Sequence, residues 1–185
     1  VSKAFDKLLD DYFKDFYASH PADATYVGLT SGEGQFNEAT LPALRRQHRR
    51  RQTALANLDT IAPSALSNEQ NLDRLAFRAR LLRECEDFER GRHTLDPHGL
   101  DEVFDFLLRE MQRGETEPTR AAKNIRSLLS GTPRYFTQAA RLIERPERVW
   151  RDIMDGAFKA SGSFFDAVAS FLKSNGNKKN DFSLI

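Results

Sequence analysis

LLSGTPRYFTQAARLIERPERVW, residues Leu128 to Trp150, is the stretch on which the fold turns. Gly131 is placed to end one helix, and Thr132 with Pro133 to start another. After Glu144 and Arg145, Pro146 is placed to open a third helix that carries Val149 and Trp150. Proline has no amide hydrogen, but in the first helical turn that hydrogen would be unpaired anyway. Two such starts predict a helix–corner–helix–corner–helix path. This is architecture and names no chemistry.

The rest of the chain carries the same signature. Twenty-one Leu and 20 Ala stand against five Val and five Ile. Strands favour β-branched residues and helices favour Ala and straight-chain ones, so the fold class expected is all-α, a bundle of about seven helices with no sheet. Residues 1–173 read as one helical domain and 174–185 as a polar tail. Helix one is expected over Lys3 to Ser19, where Phe5, Leu8, Leu9, Tyr12, Phe13 and Phe16 recur at helical spacing. His20-Pro21 stops it, and residues 22–36 read as a loop or short helical turn. Helix two follows over Leu41 to Leu58. Ser67 and Gln70 form a capping-box start for helix three, which runs to about Arg92 with an apolar stripe of Leu72, Leu75, Ala76, Ala79, Leu82, Cys85 and Phe88.

Helix four is expected from Leu100 to Gln112. Helix five, capped by Thr116 with Pro118 in its first turn, should reach Ser130. Helix six spans Pro133 to Glu144, and helix seven Pro146 to Lys173. Helix seven, which carries Phe158, Phe164, Phe165, Phe171 and Leu172, is where an exposed apolar patch able to support a homodimer would lie. The favoured reading makes these aromatics core.

Charge and motif content exclude several function classes. A formal net charge of +1 gives no global field for nucleic acid or an anionic membrane. No stretch approaches the about 20 apolar residues of a membrane span. The four histidines are followed by Pro21, Arg49, Thr94 and Gly99, so the H-E-x-x-H zinc motif is absent from this chain. His93 and His98, with Asp96 between them, read as turn-capping or exposed side chains. Gly28, Gly32 and Gly34 match no phosphate-binding spacing, and Ser161-Gly162-Ser163 lies in an expected helix where no nucleophile elbow forms. The single cysteine, Cys85, reads as a small core residue. No catalytic, cofactor or metal residue is assigned.

The strongest charge signal is RRQHRRRQ, Arg45 to Gln52. From Leu41 to Leu58 there are five arginines and no acid. Such a face could meet phosphates, but it lacks aromatics, and ion pairs with Asp101, Glu102 and Asp105 are the alternative expectation.

Four segments resemble a known family. HPADATYVGL (His20 to Leu29), LANLDTIAPSALSNEQNLDRL (Leu55 to Leu75), GTPRYFTQA (Gly131 to Ala139) and RPERVW (Arg145 to Trp150) are similar, in order and spacing, to the opening of bacterial domain-of-unknown-function family 885. Members of that family look like long helical zinc peptidases, carboxypeptidase-like, whose H-E-x-x-H helix lies downstream of the matched region. The resemblance implies a noncatalytic N-terminal helical lobe that would wall a substrate channel. Zinc would belong to the parent protein, and the partners would be the catalytic lobe and a peptide. Tyr26, Arg45, Arg49 and Arg134 are the polar contacts such a wall would offer. The resemblance leaves the bacterial compartment, cytoplasm or periplasm, open. The alternative is a self-sufficient binding module using the Arg45 to Arg51 face.

Overall fold

The structure, a computed structural model, describes residues 2–95 and 101–175. Among the described residues it is all-α, with seven α-helices and no strand: α1 (Lys3–Ser19), α2 (Pro21–Tyr26), α3 (Leu41–Asp59), α4 (Asn68–Glu89), α5 (Asp101–Arg113), α6 (Pro118–Ala140) and α7 (Arg148–Asn175). Asp96 to Leu100, including His98, and most of the expected polar tail lie outside the described residues.

Two hydrophobic clusters organise these helices. In the first, Phe5 of α1 packs with Ala54 and Leu58 of α3 and with Phe77 and Leu81 of α4. Tyr12 and Phe13 extend it, both within 6 Å of the Phe77 ring centre. In the second, Val103 and Leu107 of α5 meet Ile125, Leu128 and Tyr135 of α6 and Val168 of α7. Fully burying such side chains stabilises by about 1.5–3 kcal/mol each.

Local chemistry sets several helix ends. Thr40 accepts the Ala43 amide at the start of α3. The capping box of α4 forms as its sequence dictates: Ser67 Oγ accepts from the Gln70 amide, and Gln70 Oε1 accepts from the Ser67 amide. Gln70 is buried because it also ties α1 to α4, accepting from the Ser2 amide and donating to Asp6 Oδ1 at 2.7 Å. α4 stops before Gly91, which takes the left-handed conformation (φ 69°) that terminates helices cheaply only at glycine. Thr116 does not cap α6; Glu117 occupies the cap position, and the Thr116 hydroxyl turns back to the Arg113 carbonyl.

The largest departure from expectation lies in the deciding stretch itself. The corner at Gly131–Pro133 does not exist: expected helices five and six are one 23-residue helix, α6, with Pro133 in its interior. Leu128, Tyr135 and Ala139, buried on one face, fall seven and four residues apart, so the helix stays in phase with the core through the proline. Burial of Tyr135 and Ala139 offsets the loss of the amide that would have served the Leu129 carbonyl. Thr132 and Thr137 hydroxyls donate to the Leu128 and Pro133 carbonyls at 2.9 and 2.8 Å on either side. The second corner is real, with a break over residues 141–147 before α7.

The segment between α2 and α3 joins the two clusters. A 3-10 turn at Thr30–Gly32 sits on Pro21, and Glu33 reaches across to α5 and α6. There Arg120 embraces Glu33 with two donors, Arg113 adds a third at 3.2 Å, and Asn124 a fourth. Phe36 stacks on Tyr135 with ring centres 4.6 Å apart. Further along, the Thr94 carbonyl accepts from the Glu144 and Arg145 amides.

Candidate binding groove

α1 and α3 lie side by side and leave a groove of about 440 Å³ between them. Its α1 wall is Leu8, Asp11, Tyr12, Asp15 and Phe16, and its α3 wall is built from Arg46, Arg49, Arg50 and Thr53. The arginines fall here because 45, 46, 49 and 50 occupy neighbouring turns of the face that α3 does not bury. Most are engaged. Arg46 pairs with Glu38 at 2.8 Å, Arg51 with Glu84 at 2.7 Å, and Arg50 donates to the Ser19 hydroxyl at 3.0 Å. The expected partners Asp101, Glu102 and Asp105 are not the ones used. They stand on α5, which packs on α6 and α7; Asp105 pairs with Arg109, and Glu102 accepts the Tyr135 hydroxyl.

Arg45 and Arg49 are exposed and have no ion partner among the described residues. Only Arg49 of this pair lines the groove. At the closed end, His20 stacks flat on Phe16 with ring centres 4.1 Å apart, and its Nδ1 lies 2.8 Å from the Phe16 carbonyl. That contact fits an Nδ1–H donor and leaves Nε2 as an acceptor. Burial keeps the imidazole neutral, pushing its pKa below the ordinary value near 6.5 against the opposing pull of the Phe16 carbonyl. Arg80 also lies over the Phe16 ring, its guanidinium carbon 5.2 Å from the ring centre.

The remaining sequence-derived contacts are elsewhere. Tyr26, at the end of α2, lies under Arg109 at 4.3 Å and borders a second cleft of about 240 Å³. Glu110 faces that cleft while remaining 4% exposed. Burial raises the Glu110 pKa, although Asn124 donates to it and Arg113 stands 3.2 Å away. Arg134 is exposed on α6 and lines neither cavity. The structure thus keeps Arg45 and Arg49 one turn apart on the exposed face of α3 and places Tyr26 and Arg134 elsewhere. The Glu33–Glu110–Asn124 network escaped the sequence reading, because acids 77 residues apart carry no local signature.

His48 and His93 sandwich the Phe88 ring at 4.5 and 4.9 Å, and the Nδ1 of each is buried without a hydrogen-bond partner among the described residues. Burial lowers the His93 pKa. Cys85 is buried, and burial pushes its thiol up, so it stays protonated and inert at neutral pH. Among the described residues no group of three His, Cys, Asp or Glu comes together to hold a metal ion, and no helix is long and apolar enough to cross a membrane.

A pH dependence follows from His20 and His93. Both have folded pKa values below their unfolded value near 6.5, so the unfolded chain binds more protons once the pH drops. Stability is therefore full above about pH 6.5 and falls as the pH moves down through the folded values. Urea midpoints taken between about pH 7.5 and 5.5 should decline, and His20→Gln should flatten that slope. An unchanged slope in the variant would show that His20 titrates freely.

Searches against family models, curated proteins and solved structures gave no match, so the fold and the groove stand on their own geometry.

Proposed function

We propose that this chain is the noncatalytic N-terminal helical lobe of a metallopeptidase-like protein, and that its α1–α3 groove receives the C-terminal carboxylate of a peptide. One observation carries the groove assignment: Arg49 is a groove-lining guanidinium without an ion partner among the described residues, beside Arg46, Arg50 and Arg51, which are all engaged. A carboxylate entering the groove meets one available donor fork at Arg49, and Leu8 and Phe16 offer apolar contact for the preceding side chain. The family resemblance of residues 20–29, 55–75, 131–139 and 145–150 supports the lobe assignment. Zinc chemistry belongs to the parent protein in this reading; the described residues offer no place for the ion, and no step is assigned to it.

A nucleic-acid module is the weaker reading. Two of the five arginines of α3, Arg46 and Arg51, are neutralised by Glu38 and Glu84, which reduces the counterion-releasing charge, and the face carries no aromatic side chain for bases to stack on.

Two measurements test the proposal. A fluorescein-labelled pentapeptide with a free C-terminus should bind more tightly than its C-terminal amide, and Arg49→Ala should weaken the free acid about tenfold, the lower end expected for a charge-assisted contact. Equal binding of acid and amide would remove the groove assignment. Separately, the purified chain should leave peptides intact with zinc present; robust metal-dependent cleavage would end the noncatalytic reading.

A further inference from the structure

α4 is apolar on two opposite sides. Phe77 and Leu81 are buried against α1 and α3 and Cys85 is buried as well, whereas Leu72, Leu75 and Leu82 are 68%, 59% and 41% exposed, with Ala76 and Ala79 exposed between them. The Leu72–Leu82 part of the apolar stripe therefore faces outward over about 15 Å of helix, while its Cys85 end is buried. Its spacing is regular: 72, 75, 79 and 82 recur at three, four and three residues, the interval of a two-helix seam. The alternation of leucine with alanine lets a second helix approach closely.

We infer that this face of α4 pairs antiparallel with α4 of a second copy of the chain. Charge selects both the occupant and its direction. Glu69, Ala76 and Arg83 are spaced by sevens along one flank of the seam, and Glu69 and Arg83 are exposed without an ion partner among the described residues. In an antiparallel pair centred near residue 77, Leu72 meets Leu82 of the second copy and Leu75 meets its Ala79. The same register sets Glu69 beside the second copy's Arg83, and twofold symmetry forms that ion pair twice. A parallel pair instead places Arg83 against Arg78 of the other copy twice, whereas the antiparallel register brings Arg78 to Arg78 once, at the twofold axis, where Asp59 already pairs with each. The seam is short and falls at the small end of specific interfaces, so the pair is expected to be weak and concentration-dependent, with a Kd on the order of 10–100 µM.

Sedimentation equilibrium of the full chain over about 5–500 µM tests this. The expected result is a reversible dimer that Leu75→Glu abolishes, with the monomer's far-UV circular dichroism unchanged because Leu75 is solvent-exposed. Glu69→Arg and Arg83→Glu should each weaken the dimer about tenfold, and the double variant E69R/R83E should recover it. If Leu75→Glu perturbs the fold, Leu72→Gln supplies the same readout. A wild-type chain monomeric across the range overturns the inference and hands the stripe to a different partner. A dimer indifferent to Leu75→Glu overturns it by placing the contact elsewhere. Failure of the double reversal to recover the dimer overturns the antiparallel register. None of these outcomes bears on the α1–α3 groove.

Discussion

Pro133→Ala should stabilise the protein by roughly 1–2 kcal/mol, a gain read as a higher urea midpoint at unchanged slope. Proline in a helix interior is about 3 kcal/mol less favourable than alanine. Part of that cost has already been relieved by adjustment around Thr132 and Thr137, whose hydroxyls bond to the preceding turn, and that part does not return. The remainder is recovered when alanine supplies an amide to the Leu129 carbonyl. Sign is what makes the experiment decisive. Were Pro133 the opening residue of a separate helix, its fixed φ would favour the native state, and alanine would lose roughly 0.4–1 kcal/mol. A destabilised variant would therefore break α6 in two.

Gly32→Ala should be the most damaging of the single-methyl additions, at about 3 kcal/mol or more. A Cβ at Gly32 would lie 2.2 Å from the Pro21 carbonyl oxygen and 2.4 Å from the Pro21 Cα. Both are backbone atoms, so no side-chain rotation relieves the contact and the turn must lift away from α2. Lifting it also displaces Glu33, which Arg113, Arg120 and Asn124 hold in place. Asn124 and Glu110 are buried, and losing a partner there leaves polar groups unsatisfied. Gly28→Ala is the control. Gly28 has φ +87° but open space around it, so alanine there meets only the left-handed backbone cost of about 1–2 kcal/mol. Urea denaturation of the two variants should separate them clearly. Equal losses would mean that the Thr30–Gly32 turn is not pressed against Pro21.

The elements legible in the sequence are those whose signals are local. Lys3 to Ser19 has an unbroken apolar spacing, and α1 matches it to the residue. Ser67 with Gln70 specifies the start of α4 through its own two side chains. Pro133 was misread because its local meaning, a helix start, competes with a tertiary one that only the phase of Leu128, Tyr135 and Ala139 reveals. The stripe expected on α4 holds only at its Cys85 end, for the related reason that the helix has two apolar sides, and spacing alone does not say which is buried. Phe77, Leu81 and Cys85 took the core, so Leu72, Leu75 and Leu82 were left outside. On α7 the reading of its aromatics as core was the correct one: Phe164, Phe165, Phe171 and Leu172 pack on the second cluster, though Phe158 remains 43% exposed. In the groove, the basic run was legible but its engagement was not. Glu38 and Glu84 flank it from a loop and from another helix, and nothing in RRQHRRRQ points to either.

The two clusters are built from consecutive stretches of chain, one from α1, α3 and α4 and the other from α5, α6 and α7. Each gathers residues from one half of the chain, although the first closes only when Phe5 meets Phe77, 72 residues away. The halves are joined by the Glu33 ion pairs with Arg113 and Arg120, by Phe36 stacked on Tyr135, and by the Thr94 carbonyl accepting from the Glu144 and Arg145 amides. A break at this seam therefore uncovers charged and apolar surface together. The Glu33 side chain is only 14% exposed, so added salt weakens the charged part of the seam little, and the apolar part sets its resistance.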